Sequence, residues 1–309
     1  MKVNRPANSP KLAPYFRTLA HRAREHHLYA HMFREDVVSG IMPLGGRSRY
    51  HPNFAITFEG SNHDVNIAKT LVSSFSERSS RNANEIFCRA IEEIARSLSW
   101  DPLSRYEIVE SQGFFTAHDI SNRRTVKLPF FTVQYVPREE REVWKSRLLY
   151  QHNRRIWSVS MPKALGGAHG YRRMINQLEK IPQGSTPDFV MRELDLGGGS
   201  PAFDFNEYST QQILYINKAT SKWNWHRRDW SDDKQCEFYR TYKRAMFKYS
   251  QLLLREYLVR ELNALIFRLG IGCTVKVDGL PTASDMLQAV HELDMGKVKF
   301  KEVYDLIYD

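Results

Sequence analysis

Cysteine is scarce: Cys88, Cys236 and Cys273 are far apart in 309 residues, and no pair has C-x-x-C spacing. This argues against a disulfide scaffold and a cysteine-rich zinc site, and points to a reducing, intracellular setting. No run of about 18 apolar residues occurs, and the charged N-terminus lacks an apolar h-region, so neither a membrane span nor a secretory signal is expected. No internal repeat or long low-complexity tract is present. Gly197, Gly198 and Gly199 are not followed by Lys-Ser or Lys-Thr, which removes a nucleotide-binding loop and leaves a hinge or exposed loop as their reading. No Ser, Cys or Lys stands in a recognisable nucleophile setting. The sequence therefore predicts no cofactor and does not call for an enzyme.

Apolar residues make up 42 % of the chain and aromatics 12 %, ample for a packed core. The 45 Lys and Arg outnumber the 35 Asp and Glu, a formal charge of +10 that favours a polyanionic partner, with nucleic acid the default. The excess is regional. Bases crowd the segment before Arg34 and the stretch 231–270, whereas acids outnumber bases after Gly272.

Pro6, Pro10 and Pro14 punctuate a polar, basic opening, so residues 1–14 are expected to form a flexible basic arm, with helix starting near Tyr15. Gly40 to Pro52 reads as loop. Asn84 to Leu98 has the cleanest amphipathic pattern, with Phe87, Ala90, Ile91, Ile94, Ala95 and Leu98 on one face. From Arg105 to Val136 the period changes to two, which predicts a small antiparallel meander. Pro137 opens a charged segment expected to be helical to about His152, Ile156 to Met161 reads as a strand, and Gly166-Gly167 leads into a helix from Tyr171 to Lys180. Residues 182–209 are loop-rich. The fold class expected is α+β: a small antiparallel sheet, several helices and one long central helix, in a single domain over 15–309. Its parts are a wing-like helix and meander (50–136), a mixed region (137–230), the long helix (231–270) and a C-terminal segment (271–309).

That helix is expected to run unbroken from Ser231 as N-cap to a left-handed stop at Gly270, with Asp232 and Asp233 in its first turn. Apolar residues on two faces, Tyr242, Met246, Tyr249 and Leu253 on one and Leu258, Leu262, Leu265 and Leu269 on the other, call for partners on more than one side. Arg240, Arg244, Lys248 and Arg255 share one arc, a ridge that suits either DNA phosphates or the polar side of a packing helix. Just before it, Lys222-Trp223-Asn224-Trp225-His226-Arg227-Arg228-Asp229-Trp230 interleaves aromatics with cations. Arg227 and Arg228 join the ridge as candidate nucleic-acid contacts. Trp223, Trp225 and Trp230 fit base stacking, a subunit contact or an aromatic clamp under the long helix.

Catalytic readings are weaker. His26, His27 and His31 cluster without H-E-x-x-H spacing, and Asp188, Glu193 and Asp195 lack the Lys expected beyond the Glu of a nuclease triad. Arg22 with His27, and Arg147 with His152, have a spacing that resembles HEPN-type ribonucleases. Leu148 departs from that motif's usual polar residue.

The order of elements resembles the core of a tailed-phage portal protein. The likeness runs from the Asn84 to Leu98 helix through Arg105-Tyr106-Glu107-Ile108-Val109 to Tyr135-Val136-Pro137. It continues through Arg155-Ile156-Trp157-Ser158-Val159-Ser160-Met161-Pro162, Gly166-Gly167 and the helix after them, and closes with the long helix from Glu237 to Leu269. The resemblance implies a cyclic homo-oligomer at a capsid vertex through which double-stranded DNA passes, other virion proteins as partners, no membrane, and a place in the virion or host cytoplasm. The alternative is a nucleic-acid-binding or nuclease component of a mobile-element or antiphage defence system.

Overall fold

The structure is a computed structural model, and it describes residues 9–16, 27–78, 80, 82–181, 205–225 and 236–307. The fold is α+β. Its elements are α1 (Leu28–Ser39), β1 (Ala55–Gly60), α2 (Asn62–Ser73), α3 (Ala83–Trp100), β2 (Leu103–Ser111), β3 (Phe114–Ile120), β4 (Thr125–Lys127), β5 (Phe131–Tyr135), β6 (Leu148–His152), β7 (Ile156–Ser160), α4 (Gly167–Glu179), α5 (Phe205–Ala219), α6 (Glu237–Arg268), β8 (Cys273–Asp278), α7 (Ala283–Asp294) and α8 (Phe300–Ile307). The strands form three small antiparallel sheets: β1-β8, β3-β2-β7 and β4-β5-β6.

Helix α3 lies at the centre of the principal core. The Asn82 side chain caps it by accepting the Glu85 amide at 2.9 Å, while Asn84 is engaged elsewhere, accepting the Ile56 amide of β1. Phe87, Ala90, Ile91, Ile94, Ala95 and Leu98 are fully buried, as the period predicts. Truncating Ile91 or Ile94 to Ala is expected to lower folding stability by about 2–4 kcal/mol in urea titration, because neither site can refill the lost volume with solvent.

The long helix α6 has 32 residues, about 48 Å at 1.5 Å per residue. It does not begin at Ser231. Cys236 has extended backbone and occupies the N-cap, which interrupts any helix running in from Ser231; residues 226–235 lie outside the described part. Its end is as expected: Gly270 takes φ +74°, its amide bonds to Phe267 O, and the Ile271 amide reaches back to Ile266 O, closing a Schellman motif. One face packs Leu254, Leu258, Leu262, Leu265 and Ile266 into the principal core. Another packs Ala245 and Leu252 against Met286, Val290 and Leu293 of α7 and Val303 of α8. Burial on two sides explains why a helix so long is held in a small fold.

Two expectations fail in the middle of the chain. The charged segment after Pro137 is not a helix to His152: a short 3-10 turn and one helical turn, Arg141–Trp144, end at Lys145 in left-handed conformation, and Leu148–His152 is strand β6. The single meander is instead two sheets. Successive residues of β2 face opposite ways, Tyr106 and Ile108 into the helical core and Glu107 toward the β4-β5-β6 sheet.

Residues 9–14 are also not a free arm. Leu12, Ala13 and Phe16 are buried with Ile120, Val136, Leu149 and Ile156. The Lys11 and Leu12 amides donate to the Glu107 carboxylate, and Ala13 exchanges two hydrogen bonds with the Gln134 side-chain amide. Proline-rich chain does not form helix here, and its backbone N–H groups satisfy a carboxylate that would otherwise be buried at high cost.

Candidate assembly face and nucleic-acid interface

The ridge on α6 is largely internal. Lys248 is buried, and its Nζ donates to Gly40 O at 3.1 Å, where a cation complements the carbonyl end of α1. Arg255 is buried too, and its guanidinium donates to Pro281 O in the turn before α7. Between them Gln251 donates to Asp36 O, and it approaches so closely that a Cβ on Gly40 would lie 2.5 Å from it. Arg240 and Arg244 are half-buried. The ridge therefore rivets α1 and the 281 turn to α6, and, contrary to the sequence expectation, Lys248 and Arg255 are buried within the fold and do not face DNA.

The tryptophans separate in the same way. Trp223 and Trp225 are buried around Phe33, at centroid distances of 5.4 and 5.5 Å and nearly perpendicular, with Tyr171 beside Trp223. Trp225 Nε1 donates to Asp36 at 2.9 Å. They form an aromatic clamp joining α1, α4 and the end of α5, so neither stacks on bases nor meets another subunit. Burial pushes the Tyr171 phenol up against a smaller opposing pull from Arg34, and its hydroxyl donates to Ser99 O. Arg227, Arg228 and Trp230 lie outside the described residues, as do Arg22, His26, Asp188, Glu193, Asp195 and Gly197 to Gly199.

The ribonuclease-like spacing of Arg147 and His152 spans β6, from the residue before it to its last, and at about 3.3 Å per residue sets the two about 16 Å apart, too far to share one phosphate. His31 lies beside Trp100 on the inner side of α1. Among the described residues no group of three or more His, Cys, Asp or Glu could hold a metal ion, and no helix is long and apolar enough to cross a membrane.

Two surfaces stand out that the sequence reading missed. In the β4-β5-β6 sheet, the inner face carries Thr132, Gln134 and Gln151, buried and hydrogen-bonded, with Leu149 as its apolar contribution. The outer face presents Val126, Val133 and Tyr150 in one row, Phe131 and His152 in the next, and Tyr135 with Leu148 in a third. Phe131 packs edge-on against both Tyr150 and His152. This is the reverse of the usual apolar-in, polar-out alternation. Of the twenty large apolar residues exposed among the described ones, eight lie between Val126 and Tyr150, including Phe130 at 70 % and Tyr150 at 65 % exposure. Such clustering makes this face a candidate interaction surface. Another exposed set, Leu214 and Tyr215 on α5 and Phe238 and Tyr239 on α6, lies on different elements.

The second surface is the polar side of α4. Tyr171, Met174, Ile175 and Leu178 bury one face, which leaves His169, Arg172, Arg173, Asn176, Gln177 and Lys180 lining a concavity of about 410 Å³. A neighbouring hollow of about 290 Å³ continues it to Arg123 and Asp101. At its floor Arg34 stacks on Trp100 at 4.4 Å and pairs with Glu179 at 3.0 Å, so that carboxylate is already neutralised.

No protein-family model matches the chain, and no curated protein is significantly similar to it.

Proposed function

We propose that this protein is a structural subunit of portal type, which assembles head to tail into a closed ring around double-stranded DNA at a capsid vertex. The observation that carries the reading is the outward apolar face of the β4-β5-β6 sheet. A sheet that puts its glutamines inside and its aromatics outside forgoes burial that only a partner would restore. The partner argued for is a second copy. The exposed apolar residues of α5 and α6 supply a different face, and a ring requires contact between two unlike faces of the same chain. The order of helix, sheet, Gly-Gly turn and long helix that resembles the portal core supports the same reading. In this view the protein resides in the virion, or in the host cytoplasm before assembly, and meets other virion proteins there.

Light scattering with negative-stain imaging tests the proposal. A closed cyclic oligomer is expected, and changing Tyr135 and Tyr150 together to Asp should convert it to folded monomer, since central aromatic anchors are worth about 2 kcal/mol or more each. A wild-type chain that stays monomeric at every salt and protein concentration overturns it. Cleavage of nucleic acid that a single substitution abolishes would favour the mobile-element or defence nuclease instead.

A further inference from the structure

We infer that the polar face of α4 is the surface that meets the phosphates of double-stranded DNA. The inference rests on the DNA-conduit reading and gives it a site. Positions 169, 172, 173, 176, 177 and 180 follow the three- and four-residue steps of one straight helical stripe, about 16 Å from end to end. The major groove of B-DNA is about 12 Å wide, and Arg172 and Lys180 stand about 12 Å apart along the axis, so these cations can reach phosphates on both of its walls. Arg172, Arg173 and Lys180 are exposed, with Lys163 in the turn ahead of the helix and Arg123 across the adjoining hollow. Among the described residues, the carboxylates lining these two hollows are Glu179, held by Arg34, and Asp101, 3.7 Å from Arg172. The balance stays positive.

The chemistry of the stripe selects its ligand. It carries no exposed aromatic or aliphatic anchor, which a protein-protein interface core requires. It also has no free aromatic ring on which single-stranded bases would stack, because one face of Trp100 is covered by Arg34. What remains is a row of guanidinium, ammonium and amide donors suited to phosphate and sugar oxygens, without fixed base readout. Contacts of this kind hold a duplex in place and allow it to slide.

Fluorescence anisotropy with a labelled duplex of about 30 base pairs, across a range of potassium chloride, tests the assignment. Removing three cations with Arg172→Gln, Arg173→Gln and Lys180→Gln should reduce the slope of log K against log salt by about three, and each single change by about one. Arg172→Lys with Arg173→Lys should keep the wild-type slope, which separates charge from any effect on folding. Lys297→Gln, Lys299→Gln and Lys301→Gln remove the same charge near α8 and should leave the slope unchanged. An unchanged slope in the α4 variant, an equal loss in the α8 control, or no duplex binding by the wild type overturns the assignment. A reduced slope in a chain that forms no ring upholds this surface and removes the portal reading, whereas a ring with an unchanged slope does the reverse.

Discussion

Replacing Trp223 with Ala should cost about 3–5 kcal/mol of folding stability, among the larger single losses available to this fold. The indole is fully buried and contacts Phe33 of α1 and Tyr171 of α4, so its removal opens a cavity where three elements meet. Relaxation cannot close it, because Tyr171 is anchored to Ser99 O and Trp225 to Asp36. Trp225→Phe should be milder, about 1–2 kcal/mol, since the ring volume is mostly kept and one hydrogen bond is lost. Urea denaturation monitored by far-UV circular dichroism gives both values, and a Trp223→Ala protein as stable as wild type would mean that the clamp does not form.

Glu107→Ala should cost a similar amount, about 3–5 kcal/mol, through a different mechanism. Glu107 is fully buried, and its carboxylate receives the Lys11 and Leu12 amides and the Gln151 side chain. Deleting it strands the Leu12 and Gln151 donors in a dry interior, at about 1–3 kcal/mol for each that finds no water, and releases the half-exposed Lys11 amide. The local signature is more specific than the total: hydrogen exchange at the Leu12 amide should rise well above that of α3, because residues 9–16 lose their attachment while the helical core persists. If Leu12 exchange stays at the wild-type level, the carboxylate is not what secures this segment.

Where apolar burial and local periodicity agree, the fold was legible in the sequence. Helix α3 has both, and its core residues match the structure one by one. The Gly270 stop was readable because a left-handed position leaves few other residues to choose from. Strand β6 was hidden because two of its three apolar residues, Leu148 and Tyr150, face outward and because the Arg-Glu run before it has helical composition. The β1-β8 pair joins Ala55 to Asp278 across most of the chain, a pairing that no local pattern encodes. For the candidate sites, the helical wheel placed Arg240, Arg244, Lys248 and Arg255 on one arc but could not show what covers it. The cover on Lys248 is Gly40, 208 residues away in sequence. The cations of α4 were equally visible as residues, yet a helix read alone does not reveal which of its faces stays wet.

The segment at 9–16 also bears on the order in which the molecule is made. It leaves the ribosome before its acceptors on β2 and β5, which follow 95 to 121 residues later. At about 5–20 residues per second, it waits on the order of ten seconds with Leu12 and Phe16 uncovered. The two sheets it joins then meet through the Glu107, Gln134 and Gln151 groups and the small apolar cluster that Leu12 and Phe16 complete, so their closure is expected to be a late step with a high contact order. A chain held at that stage would display the aromatic outer sheet before its inner side is sealed. Assembly begun too early would trap open subunits, so the yield of correct oligomer depends on closure outrunning encounter between chains.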